Sequence, residues 1–177
     1  MTDTQFLWIK AGYETFATHG ENALKIEQLA RETGKSKSSF YHHFADTEGF
    51  MEELLSFHLN RSEIIAEKEK NAQNIHPELI EILAEHKIDL LFNRQLRFQQ
   101  QKQNFKTTLE KSNQIVGNQF VKIWAKDLQL KLSQRQLESL FELALENFFL
   151  QINPENITKE WLTAYFENLK RIAKNFE

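Results

Sequence analysis

The sequence GKSKSSFYHHF occupies residues 34–44 and follows a segment that reads IEQLARE at residues 26–32. In that earlier segment Ile26, Leu29 and Ala30 are spaced i, i+3 and i+4, so they share one face of a helix. The pattern therefore predicts a short amphipathic helix immediately before residues 34–44.

The 34–44 segment itself predicts a turn followed by another helix. Gly34 supplies the positive φ that a tight turn between crossed helices requires. Ser36 is placed to cap the following helix by accepting a backbone N–H. Phe40 and Phe44 are spaced i, i+4, and we expect both to face the interior. Together the two segments predict a helix-turn-helix.

The other side chains after the turn are polar and predict a surface that reads DNA. Hydroxyl, ammonium, phenol and imidazole groups are those that reach phosphates and base edges. The positions expected to present them are Lys37, Ser38, Ser39, Tyr41 and His43. The alternative is an ordinary solvated face, since only the patch around Lys35 and Lys37 is positive.

Overall charge does not by itself indicate nucleic acid. The formal net charge is −3, and residues 1–50 contain five Lys and Arg against seven Asp and Glu. Nucleic-acid-binding domains usually carry a basic patch or stripe. The DNA-binding prediction therefore depends on the helix-turn-helix pattern.

Composition favours an all-α fold. The 177 residues are 41% hydrophobic and include 15 Phe, but only 5 Gly and 2 Pro. Scarce turn residues disfavour a β-sandwich or barrel, and the 3.6-residue apolar period recurs along nearly the whole chain. Because the chain has no Cys, disulfides, thiolate metal sites and cysteine nucleophiles are excluded.

Catalytic, metal-binding and membrane-targeting patterns are not recognisable in the sequence. His42 and His43 are adjacent, so on a helix their side chains point about 100° apart and do not share one ion. The remaining histidines lack the spacing of a catalytic triad. We expect no enzyme, no metal and no cofactor. Without a leader or an apolar run of membrane length, we expect a cytoplasmic protein.

Two C-terminal segments carry more apolar surface than one core requires. The first begins at Ser133, which is spaced with Gln136 as a capping box, and ends at Asn153; the second runs from Thr158 to Phe176. A helix that is apolar nearly all round must be covered on both sides. In a chain this small we favour a two-fold homodimer. The expected interface residues are Leu140, Leu143, Phe149, Trp161, Tyr165 and Leu169.

The sequence from the first helix to the start of the fourth resembles the TetR family of transcriptional regulators. The residues that carry the resemblance are Phe16-Ala17 and Gly20, Ile26 with Leu29-Ala30, Gly34, Ser36, and Phe40-Tyr41-His42-His43-Phe44. The resemblance implies a three-helix DNA-binding domain at residues 1–46 and a helical domain for ligand binding and dimerisation at residues 47–177. The later part resembles the family only in being helical, of suitable length, and ending in two apolar helices.

The resemblance also implies the DNA contacts. Lys37 and Ser38 fall where that family touches base edges, and Tyr41 and His43 fall where it holds the DNA backbone. The full set of expected DNA-binding residues is Lys25, Lys35, Ser36, Lys37, Ser38, Ser39, Tyr41, His43 and Thr47.

Three departures from the family pattern predict weak non-specific affinity. Where the second helix begins the family usually has Thr or Ser, whereas this chain has Leu24, Lys25 and Ile26. Where the family commonly places Lys at the start of the fourth helix, this chain has Thr47 and Glu48. There is almost no basic arm before the first helix. Each lost phosphate contact removes one counterion-release contribution.

The aromatic residues after the helix-turn-helix indicate either a filled core or a pocket for a mostly apolar small molecule. Asn113, Gln119 and Asn147 are candidate polar partners of such a ligand. The expected pocket residues are His86, Phe92, Phe105, Phe120, Trp124, Phe141 and Phe148.

The sequence thus predicts a homodimeric, ligand-responsive regulator. We expect a repressor that binds double-stranded DNA at a palindromic operator and is released by a small-molecule effector. The alternative is a dimeric interaction or ligand-binding module of the same fold that has lost specific DNA binding.

Overall fold

A computed structural model of the chain describes residues 1–128 and 133–174, apart from the side chains of residues 118 and 119. The side chain of Gln119, a candidate ligand partner, and Phe176, the predicted end of the C-terminal apolar band, therefore lie outside the described residues. The described part consists of helices, turns and loops without a β-strand, which confirms the all-α prediction.

The α-helices of the described residues follow one another along the chain with short connections. Their bounds are α1 Asp3–His19, α2 Ile26–Thr33, α3 Lys37–His43, α4 Thr47–Asn71, α5 Ile80–Glu85, α6 Lys87–Phe98, α7 Gln103–Leu128, α8 Gln134–Gln151 and α9 Lys159–Lys174. A 3₁₀ turn at Glu21–Ala23 and a π-type turn at Ile75–Leu79 connect neighbouring helices. None of the helices within the described ranges is both long and apolar enough to cross a lipid bilayer.

Helix ends are set by the local signals that the sequence carries. At the start of α8, Ser133 and Gln136 form the predicted capping box, each accepting a hydrogen bond from the other's backbone N–H. At the end of α1, Gly20 has a φ of 78°, a conformation that glycine adopts without steric cost.

The chain divides into two compact units. The first contains residues 1–61 and 88–112, and the second contains residues 62–87 and 113–177. The predicted functional boundary between residues 46 and 47 stays a prediction.

The core of the first unit is aromatic. Tyr13 of α1 stacks on Phe92 of α6 with ring centroids 4.3 Å apart, and Phe16 packs against Phe92 and Phe105 at 4.5 and 5.6 Å. All four rings are buried. Burial of such rings excludes water from a large apolar area, which stabilises the unit.

A polar network lies within this aromatic core. The Tyr13 hydroxyl donates to Asp89 Oδ1 at 2.8 Å and lies 2.7 Å from His58 Nδ1. Arg61 Nε and Nη2 donate to the same carboxylate at 3.0 and 2.8 Å. The network therefore joins α1, α4 and α6 through polar side chains that hydrogen-bond to one another.

Burial changes the protonation of this network. It lowers the pKa of His58 to about 4, so the imidazole is neutral near pH 7. It also raises the pKa of Tyr13 well above its usual range, an effect that the neighbouring Asp89 charge reinforces. Asp89 is the negative charge that the Arg61 guanidinium compensates.

The second unit has its own aromatic core, built from α7, α8 and α9. Phe120 lies 5.6 Å from Phe141 and 5.9 Å from Phe166, measured between ring centroids. In the same unit the Glu69 side chain of α4 is fully buried, and neither carboxylate oxygen has a hydrogen-bond partner. Desolvation raises the Glu69 pKa to about 8, which means that the buried group is held as the neutral acid at pH 7.

Candidate nucleic-acid interface

The turn between α2 and α3 has the predicted geometry. Gly34 adopts the left-handed conformation, with φ 65° and ψ 25°. The next residue, Lys35, donates its backbone N–H to the carbonyl of Ala30 at 3.0 Å. This hydrogen bond satisfies the Ala30 carbonyl near the end of α2, and the left-handed conformation of Gly34 turns the chain toward α3.

Helix α3 is fixed by a cap and by aromatic anchors. The Ser36 hydroxyl accepts a hydrogen bond from the Ser39 N–H at 3.2 Å. Phe40 is fully buried, with its ring centroid 5.3 Å from that of Trp8 and 5.1 Å from that of Phe50. Phe44 is also buried. The helix is therefore held from behind by α1 and α4, which leaves its other face to solvent.

The residues predicted to contact DNA are distributed around α3. Lys35 and Ser36 belong to the turn, Lys25 precedes α2, and Thr47 begins α4. The exposed members are Lys25, Ser36, Lys37, Ser38, Tyr41 and Thr47. The half-buried members are Lys35, Ser39 and His43. Tyr41 is 56% exposed although it is aromatic, which makes it the large side chain that α3 offers to a partner.

Lys37, the predicted base-reading residue, forms an ion pair with Glu27 of α2. Both side chains are largely exposed, at 54% and 62%. The hydrogen bond from the Lys37 ammonium lowers the pKa of the Glu27 carboxyl. Exposed ion pairs contribute little to stability, so phosphate or a base edge can replace Glu27 as the partner of Lys37.

Sequence reasoning did not identify Glu27. Its only local signal is an acidic residue in the first turn of α2, which is common at helix N-termini. Contact with Lys37 depends on the crossing of α2 and α3, and that crossing is a tertiary feature.

Asp46 fixes the start of α4 beside this surface. Its Oδ1 accepts a hydrogen bond from the Gly49 N–H at 2.8 Å. Thr47 and Glu48 are consequently in the first turn of α4, and both are exposed. The first turn of α4 therefore presents a hydroxyl and a carboxylate at the position where the family pattern has a lysine.

The residues predicted to line a ligand pocket fall into separate groups. Phe92 and Phe105 belong to the first unit, whereas the others belong to the second. In the second unit Trp124 lies 5.8 Å from Phe141, between ring centroids, and Phe148 packs on Trp161 and Tyr165 instead. His86 is buried in that same unit.

One predicted pocket residue, Phe105, lines a cleft of about 590 Å³ within the first unit. Thr47, a predicted DNA contact, lines the same cleft. The cleft lies among the 3₁₀ turn, α2, and the starts of α4 and α7. It therefore adjoins the helices that support α3.

The residues predicted for a dimer interface differ in exposure. Leu143 of α8 is 70% exposed, and Leu140, Trp161 and Leu169 are half-buried. Phe149 and Tyr165 are buried within the single chain, and the Tyr165 hydroxyl donates to the Ala144 carbonyl at 2.9 Å. Leu150, which the sequence prediction omitted, is 66% exposed.

Across residues 1–128 and 133–174, no group of three or more His, Asp or Glu side chains is arranged to hold a metal ion.

The helix-turn-helix part of the chain matches a known protein family. Residues 9–54 match the family model for bacterial regulatory proteins of the tetR family. No curated protein matches the chain significantly.

Two crystal structures share the fold over nearly the full length. One, described as a TetR-family transcriptional regulator from Rhodococcus sp., has a TM-score of 0.61 at 17% sequence identity, covering 99% of this chain and 98% of that chain. The other, described as a TetR-family transcriptional regulator from Mesorhizobium loti, has a TM-score of 0.56 at 16% identity, covering 99% and 98%. At these identities the likeness establishes the fold.

Proposed function

The chain has the fold of TetR-family regulators and carries the family's sequence pattern at residues 9–54, and from this premise we propose that it is a DNA-binding transcriptional repressor. In this proposal α3 enters the major groove. Lys37 and Ser38 read base edges, and Tyr41 and His43 hold the DNA backbone. Because its target is DNA, the proposed location is the cytoplasm, and the proposed role is not catalytic.

The single observation that supports this function is that α3 is anchored on one face and exposes polar side chains on the other. Phe40 is buried against α1 and α4, while Lys37, Ser38 and Tyr41 remain exposed on the same helix. A helix that reads base edges in the major groove needs a rigid support on one face and polar side chains on its exposed face. This arrangement supports insertion of α3 as a preformed unit.

The proposed assembly is a two-fold dimer. Leu143 and Leu150 lie seven residues apart on α8, so they share one face, and both are more than half exposed. Self-pairing of two such faces removes apolar area from water. A dimer places two copies of α3 on a palindrome whose half-sites are one helical turn or a multiple apart, roughly 34–36 Å per turn.

Control by an effector is part of the same proposal. A small, mostly apolar molecule binds the C-terminal part of the chain and favours a conformation with low operator affinity. The ligand shifts the equilibrium only by the difference in its affinity for the two conformations. Helix α4 is the proposed connection because it runs from Thr47, beside α3, into the second unit.

Selection of duplexes from a random DNA pool by the purified protein, followed by sequencing, tests the proposal. We expect enrichment of a palindrome. The selected duplex then permits a test of Lys37→Ala, with Lys10→Ala, an exposed lysine on α1, as the control. If Lys37 reads a base, its removal costs about 1–3 kcal/mol of binding free energy and relaxes specificity at one position.

A uniform loss of affinity across sequences, with a shallower salt dependence, would assign Lys37 to phosphate instead.

The second candidate function is a protein-interaction module of the same fold. It is favoured by the carboxylates of Glu27 and Glu48 at the surface that would face DNA. Folded, dimeric protein that enriches no duplex at moderate salt would support this candidate and contradict the repressor proposal.

A further inference from the structure

The cleft of about 590 Å³ in the first unit has the size of a ligand site, and six of its twelve lining residues are polar or charged. Small-molecule sites in proteins occupy roughly 300–1,000 Å³, with an apolar lining and a few polar groups. Here Leu29, Phe50 and Phe105 form a buried apolar lining, while Leu24 and Ile26 are half-buried and keep apolar surface in contact with water. A ligand with an apolar body would cover that surface.

The charged residues at the rim of the cleft favour a ligand of positive charge. The ammonium of Lys102 forms an ion pair with Glu21 and lies 5.2 Å from the centroid of the Phe105 ring. Its charge is therefore already compensated. Glu48, in the first turn of α4, lines the cleft and makes no ion pair with any described residue. An anion would have to displace Glu21 and would also meet the Glu48 carboxylate.

We propose that this cleft binds a small organic cation that consists of an aromatic or alicyclic body and one ammonium group. The body lies on the half-buried side chains of Leu24 and Ile26, and the ammonium faces Glu48 at the rim. Burial of the apolar body against Leu24 and Ile26 contributes affinity, and the carboxylate supplies the preference for a cation.

This site is separate from the effector pocket proposed for the C-terminal part of the chain, and it does not depend on DNA binding. Its ligand would contact α2 through Ile26 and α4 through Glu48. Those two helices flank α3, so occupancy of the cleft acts directly on the support of the recognition helix.

The test compares two probes with the same ring system and opposite charge. Isothermal titration calorimetry at pH 7 measures binding of 2-(1-naphthyl)ethylammonium and of 1-naphthylacetate to the full chain. We expect saturable binding of the ammonium probe at one site per chain. Naphthylacetate is expected to bind at least about fivefold more weakly, because exposed charge pairs contribute up to about 1 kcal/mol each.

Two variants locate the binding. Glu48→Gln should weaken the ammonium probe about two- to fivefold and leave naphthylacetate no weaker. Glu52→Gln is the matched control, since Glu52 is an exposed residue of α4 that does not line the cleft. Ile26→Trp should fill the cleft and abolish binding in protein that retains its helical circular dichroism, with Leu24→Trp used if Ile26→Trp does not fold.

Three results would overturn the proposal. They are no saturable binding of the ammonium probe, equal binding of the two probes, and ammonium binding that survives both Glu48→Gln and the cleft-filling variant. None of these results depends on finding an operator, so they leave the repressor proposal untouched.

Discussion

In the proposed repressor, the Glu27 carboxylate competes with DNA for the ammonium of Lys37 on α3. Replacing Glu27 with Gln removes the competing charge and one carboxylate near the DNA phosphates. We expect Glu27→Gln to tighten operator binding by about two- to fivefold at low salt, with a smaller gain at high salt. Fluorescence anisotropy with a labelled duplex at two salt concentrations measures the change.

Glu32→Gln is the control for this substitution, because Glu32 is an exposed residue of α2 that accepts a hydrogen bond from Gln28 and not from Lys37. Equal tightening by both variants would indicate a general charge effect and not release of Lys37.

The buried Glu69 carboxyl predicts a stability that falls as pH rises. Its pKa is about 8 in the folded chain against 4.5 as the ordinary value, so its contribution is fully present below pH 4.5 and is lost as pH rises toward 8. Glu69→Met should therefore raise the free energy of unfolding at pH 7, by on the order of 3 kcal/mol. Urea denaturation at pH 4.5 and pH 7 should show a much larger gain at the higher pH.

Glu63→Met, at an exposed position of the same helix, provides the comparison for Glu69→Met. A gain of equal size at both pH values would mean that packing, and not the carboxyl charge, limits stability at Glu69.

Among the elements, α1, α4 and α6 are tied together by the network of Tyr13, His58, Arg61 and Asp89. The His58 pKa is lowered from 6.5 to about 4. Because the unfolded chain takes up the proton first, stability is lost as pH falls from 6.5 toward 4. Between pH 7 and pH 5 this loss is about 2 kcal/mol. His58→Phe should remove most of it, and Tyr13 can still donate to Asp89 in that variant.

Urea denaturation of wild type, His58→Phe and His42→Phe at the two pH values measures the effect. His42 is exposed on α3, so its substitution should leave the pH dependence of stability unchanged. If the free energy of unfolding falls between pH 7 and pH 5 by the same amount in His58→Phe as in wild type, another group causes the loss of stability in acid.

Local elements were predictable because their signals are local. Gly34, Ser36 and Phe40 act within one or two helical turns, and the structure confirms their conformation, cap and burial. The Tyr13–Asp89 contact joins residues 76 positions apart. Nothing in the periodicity of α1 or α6 specifies which faces of those helices meet, so the network could not be predicted.

At the scale of the whole molecule, the all-α class was predictable from the composition and from the 3.6-residue apolar period. Which residues belong to each of the two compact units was not. Residues 88–112 join residues 1–61, although α5 and α6 are separated only by His86. The apolar stripe along α5 and α6 does not specify where one unit ends and the other begins. The predicted pocket combines Phe92 and Phe105 of the first unit with residues of the second unit, and that pocket stays a prediction.

Assembly is the remaining prediction at this scale. Leu143→Glu combined with Leu150→Glu places charge on the exposed face of α8 and should convert a dimer into a monomer without unfolding it. Sedimentation equilibrium measures the mass, and circular dichroism checks the fold. Leu7→Glu, at an exposed leucine of α1, is the control and should leave the mass unchanged. A dimer that persists in the double variant would place the interface elsewhere.

The pairing of Lys37 with Glu27 also bears on how a regulator of this kind searches a genome. In the proposed repressor, Lys37 leaves the Glu27 carboxylate unpaired when it turns to DNA, and this carboxylate then repels the phosphates, which weakens binding to random sequence. Weak retention shortens each sliding encounter and makes the search proceed by frequent returns to solution. Fewer copies of the proposed dimer would then be sequestered on random DNA, and a small number of copies would suffice to occupy the operator.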